Sequence, residues 1–101
     1  MSSKKPMFIK LVADPDHLLI QKVGPAPVLD AFVRSAIKNT GGKLVSVTKE
    51  GNVAFAKIKV PVIAKAFWRT DRTAFIFAVF PSVLVKNYGM ISVEVSFSKI
   101  D

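Results

Sequence analysis

The chain has 101 residues, half of them apolar and 22% charged, so it can bury a core and is no disordered tail. Fifteen Lys and Arg against seven Asp and Glu give a formal charge of +8, which favours polyanionic partners: nucleic acid, an anionic membrane surface or an acidic protein. With no cysteine and one histidine, His17, disulfides, thiolate zinc sites, cysteine nucleophiles and multi-histidine metal centres are excluded.

Residues 1–6, "MSSKKP", read as a flexible basic lead-in to one domain over 7–101. "MFIKLVA" (7–13) is a strand that buries Met7, Ile9 and Leu11 and turns Phe8, Lys10 and Val12 outward. "DPD" (14–16) is turn chemistry, with Pro15 presetting φ. "HLLIQKV" (17–23) reads either as a returning strand or as irregular chain. Beyond "GPAP", Pro27 suits the first turn of a helix. Val28, Leu29, Phe32, Val33, Ala36 and Ile37 then recur at helical spacing, with Asp30, Arg34, Ser35 and Lys38 on the wet side. "NTGG" (39–42) ends that helix.

"KLVSVTKEGNVAFAKIKV" (43–60) reads as a hairpin turning at Glu50-Gly51, pairing Lys49 with Asn52 and Val47 with Ala54. Val45, Val47, Ala54, Ala56 and Ile58 then share the core side. Leu44, Ser46, Thr48, Val53, Phe55 and Lys57 share the other side, with Lys59 following in phase. Pro61 opens a second helix whose buried stripe is expected to be Val62, Ile63, Ala66 and Phe67, with Lys65, Trp68, Arg69 and Arg72 off it. The unbroken apolar run "TAFIFAVF" (73–80) predicts a central strand. "SVLVKNYG" suggests a third hairpin near Asn87 to Gly89. "MISVEVSFSK" (90–99) alternates with Ile91, Val93, Val95 and Phe97 inward. The expected fold is α+β: a mainly antiparallel sheet with two helices packed on one face, in the order β(β)αββαββ.

That arrangement leaves Phe8 and Phe55 on the sheet face away from the helices, among Lys10, Lys57 and Lys59. Rings offer each base a π-face, and lysines hold phosphates. The pattern resembles the RNA-recognition motif, in which aromatics on adjacent strands stack bases. "MFIKLV" is similar to that family's shorter signature, with Phe8 at the aromatic position. "VAFAKI" is similar to a degenerate form of the longer one, with Phe55 matching and Val53 where an aromatic is expected. The likeness is one of surface. The segment between first strand and first helix is longer than in that family, and further strands are expected. A contact with core or with a second copy explains the same two rings, since exposed apolar patches also mark protein interfaces.

"AFWRTDR" (66–72) is the second candidate. Trp68, Arg69 and Arg72 either face a nucleic-acid backbone or serve structure, arginine at a helix C-terminus favouring the dipole. Lys4 and Lys5 of the lead-in add reach toward a polyanion. No nucleophile, base and orienting group share a predicted element, so catalytic and metal sites and cofactors are not expected. "MSSKKPMF" lacks the apolar run of a secretory signal, and "TAFIFAVFPSVLV" is too short to span a bilayer. The expectation is therefore a cytoplasmic protein without a membrane partner, associated with nucleoid or ribosome. One Gln, three Asn and no Cys give it a thermophile-like composition.

The leading expectation is a small basic non-enzymatic protein that binds nucleic acid, single-stranded DNA or RNA favoured. The alternative is an accessory subunit of a larger nucleic-acid machine, a polymerase or ribosomal complex, that meets protein through its apolar face. A homodimer is compatible with both.

Overall fold

The computed structural model describes residues 4–81 and 89–98. Its first strand, β1 (Lys4–Ala13), follows the alternation in the sequence: Met7, Ile9, Leu11 and Ala13 are buried, and Phe8, Lys10 and Val12 take the opposite face. Asp14 ends it, its carboxylate accepting the Asp16 N–H at 2.9 Å.

Residues 18–23, expected as strand or irregular chain, form a short helix, α1 (Leu18–Val23). His17 caps it, Nδ1 accepting the Leu19 N–H at 3.2 Å, and Ile20 alone of its residues is buried. Gly24, at φ 82, turns the chain into α2 (Pro25–Thr40), which starts at Pro25 rather than Pro27. Both prolines fall in the first turn, where a missing N–H costs nothing. Leu29, Phe32, Val33 and Ala36 are buried, as their spacing predicts. Ser35, expected to face water, instead turns inward. Its hydroxyl and the Asn39 amide both donate to the Val79 carbonyl, each at 3.0 Å.

The hairpin joins β2 (Lys43–Glu50) to β3 (Val53–Pro61). Its loop is Gly51-Asn52, not Glu50-Gly51, and Gly51 has φ 59. Glycine at the first loop position suits the type II′ turn, whose twist matches the strands. The register moves by two residues, so Val47 faces Ala56, and the side-chain parity survives. One irregularity does change faces. Leu44 pairs with Ile58 and Ser46 with Lys57, leaving Val45 as a bulge. Leu44 therefore lies on the helix side, not the outer side. Every residue of β2, an edge strand, is exposed, Val45 and Val47 included.

The run 73–80 is the largest departure from expectation. It forms a helix, α4 (Arg72–Val79), behind α3 (Val62–Thr70). An unbroken apolar run has no period and cannot choose between a buried strand and a buried helix. Asp71 decides: its N–H donates to the Phe67 carbonyl at 3.0 Å, closing α3, and its carboxylate accepts the Ala74 N–H at 3.0 Å, opening α4. The expected stripe of α3 is also displaced. Val62, Ile63, Ala66 and Phe67 are exposed, while Ala64 is buried and Trp68 packs on the core.

The last strand, β4 (Ile91–Ser96), turns Ile91, Val93 and Val95 toward the helices as predicted. The sheet order is β2-β3-β1-β4, every neighbour antiparallel. Helices α2 and α3 pack on β1 and β3, α4 packs against both of these helices, and α1 packs against α2. The protein is thus an α+β fold with an antiparallel sheet and helices against it. Its connectivity is that of the split βαβ, ferredoxin-like arrangement, and among the described residues two helices, α1 and α2 or α3 and α4, lie in each crossover. Of the expected hairpin in "SVLVKNYG" (82–89), residues 82–88 lie outside the described residues. Among the described residues no helix is long and apolar enough to cross a membrane.

Candidate nucleic-acid interface

Strands β1 and β3 occupy the middle of the sheet, so their outward residues form the centre of its open face. Register sets the pattern. Phe8 lies opposite Lys57, and Lys10 lies opposite Phe55. The two rings are therefore diagonal neighbours, each with a lysine directly across. Lys57 Nζ is 5.6 Å from the Phe8 ring centroid and Lys10 Nζ is 5.7 Å from that of Phe55. Both distances lie at the outer limit of a cation–π contact, about 6 Å, where the attraction at exposed sites is about 0.5–1 kcal/mol. Each ring is covered by a cation that a better partner can displace. Phe55 is 36% exposed and Phe8 half-buried.

Charge is graded along this face. At one end Lys59 faces Lys43 on β2 and Pro6 on β1, with Lys57 and Lys4 beside them. Like charges opposite one another destabilise a sheet. Lys43 and Lys59 therefore make a site where an added anion is favourable. At the other end lie Glu50 and Glu94, the latter opposite Lys10. There Lys10, Thr48, Glu50, Val53 and Phe55 line a shallow depression of about 370 Å³. The one ion pair among the described residues is Lys49 with Asp30, at 2.6 Å, and it takes none of the lysines named on this face.

Of the residues proposed from sequence, Lys4, Phe8, Lys10, Phe55, Lys57 and Lys59 share this face. Lys5 does not: it lies opposite Val60, on the helix side, exposed at the strand end. Trp68, Arg69 and Arg72 belong to the helical layer and form a separate group. There the Trp68 ring has two neighbours, Phe97, tilted at a centroid distance of 5.2 Å, and Arg72, whose Cζ is 4.2 Å from the ring centroid. Lys43 is the face residue that sequence reasoning missed. Simple alternation puts it on the core side, and only the Val45 bulge carries it outward. Among the described residues no group of three or more His, Cys, Asp or Glu could hold a metal ion.

Compared with known proteins, the chain matches no family model and no curated protein sequence.

Proposed function

We propose that the protein is a non-enzymatic, cytoplasmic nucleic-acid-binding protein that takes single-stranded DNA or RNA across the open face of its sheet. The observation that carries this reading is the crossed arrangement of Phe8, Lys57, Lys10 and Phe55 on the two central strands. Diagonal positions on paired strands are about 7–8 Å apart, roughly twice the 3.4 Å step between stacked bases of a duplex strand. Two bases that each cover one ring are therefore unstacked from one another, which suits a single strand and not a duplex. Lysines 4, 43, 57 and 59 at one end supply phosphate contacts. The fold itself hosts many functions and assigns none; the support comes from this face.

The test is fluorescence anisotropy with labelled single-stranded and duplex oligonucleotides at two salt concentrations. Removing one stacking ring costs about 1–3 kcal/mol, so Phe55→Ala and Phe8→Ala are each expected to weaken single-strand binding about 5- to 150-fold. Binding that ignores both substitutions would reduce the face to a basic surface, and no binding at low salt would sink the proposal.

A second reading, an accessory subunit held by protein contacts, is supported by α3, where Ile63 is 76% exposed beside Val62 and Phe67. Sedimentation of the isolated chain separates the two readings. A monomer that binds oligonucleotides unaided favours the first.

A further inference from the structure

Lys65 stands three residues before Trp68 and four before Arg69, which brings the three to one side of α3, and Arg72, just past the corner, returns to that side by stacking on Trp68. Arg69, in the last turn of α3, is favoured there by the helix dipole. Arg72 is not: it opens α4, where a positive charge opposes the dipole. What holds it is Trp68, against which its guanidinium stacks at 4.2 Å. Among the described residues none of the three cations has a carboxylate partner. Even Asp71, between Arg69 and Arg72 in sequence, is engaged by the Ala74 N–H. A stacked guanidinium is already ordered, so less freedom is lost when its fork meets a phosphate.

We propose that this stripe is a second nucleic-acid surface, which reads phosphates rather than bases, so that one copy of the protein holds two nucleic-acid segments at once. The inference rests on the sheet face being the first site. Trp68 has Phe97 tilted against it and Arg72 over its ring at 4.2 Å, so this ring already has two neighbours and offers a base less than Phe8 or Phe55 does. Phosphate contacts carry no sequence information, and a duplex satisfies them as well as a single strand. The two surfaces lie on opposite layers of a molecule whose shortest extent is 22 Å. The screening length at ordinary salt is about 8–10 Å, shorter than that extent, so repulsion between segments held on the two layers is damped.

The experiment tethers a single-stranded oligonucleotide, loads the protein on it, and offers a labelled duplex of unrelated sequence. Wild type is expected to capture the duplex. The variant K65Q/R69Q/R72Q is expected to hold the tethered strand within about twofold of wild type and to lose at least tenfold in duplex capture. Phe55→Ala is expected to lose the tethered strand while retaining wild-type affinity for free duplex. Wild type that holds the strand and captures no duplex overturns the proposal, as does a stripe variant that captures duplex normally; the latter outcome also covers bridging by a dimer. Tethered-strand binding that ignores Phe8→Ala and Phe55→Ala overturns the sheet-face reading instead, so the two failures are distinct.

Discussion

At the scale of single residues, the open face and the core make opposite demands. Phe55 is partly exposed and covered by one lysine, so Phe55→Ala is expected to change the unfolding free energy by less than about 1 kcal/mol. Phe75 is 2% exposed and meets Phe67 edge-on at 5.5 Å, and Phe75→Ala is expected to cost about 3–5 kcal/mol. Urea titration of both variants checks the pair. Equal losses would mean that Phe55 is a core residue and that the face has been misassigned. Gly42 makes a different kind of prediction. A Cβ there would lie 2.6 Å from Ile58 Cγ2 and 2.8 Å from the Lys59 carbonyl oxygen. The backbone of β3 cannot yield cheaply, so Gly42→Ala is expected to destabilise by about 1–3 kcal/mol, read as a lower urea midpoint.

At the scale of elements, Asp71 joins two helices by ending one and starting the next. Asp71→Ala removes the cap of α4 and is expected to cost about 1 kcal/mol, while Asp71→Asn, still an acceptor, retains most of it. Thermal melts of the two variants distinguish the cap from a mere charge effect. The same corner shows what the sequence could and could not reveal. The two faces of β1 and β3 were legible because Lys10, Lys57 and Lys59 fall between apolar residues two apart, and a half-buried strand must alternate. The face of Phe8 and Phe55 was legible for the same reason. Residues 73–80 were not, because a run apolar at every position leaves no period to read. The contacted side of α3 is hidden from the sequence for a subtler reason. Val62, Ile63, Ala66 and Phe67 do form a helical stripe, but a stripe says only that apolar residues are together. Small Ala64 and large Trp68 fit the sheet instead. Lys43 was hidden by the Val45 bulge, which depends on the partner strand as much as on β2 itself.

At the scale of the whole molecule, the charge of +8 acts twice, with opposite signs. Repulsion within the compact state is screened by salt, so the melting temperature of the free protein is expected to rise with ionic strength. Binding moves the other way. The four lysines at one end of the sheet face, Lys4, Lys43, Lys57 and Lys59, are expected to give a slope of log K against log salt of about −2.8 for a single strand. Between 50 and 200 mM salt that is roughly a 50-fold loss of affinity. Calorimetry and anisotropy over one salt series read both trends. A binding slope near zero would remove phosphates from the account, whatever the rings do.

The chain has a single tryptophan, and it is Trp68, on the helical layer beneath Arg72. Indole emission responds to what touches the ring, so this residue is a built-in optical probe of one side of the molecule. A strand laid over Phe8 and Phe55 is expected to leave its spectrum unchanged. A duplex that draws the Arg72 guanidinium toward a phosphate changes the surroundings of the indole and shifts it. The unlabelled protein is thus expected to report by colour which of the two proposed surfaces is occupied.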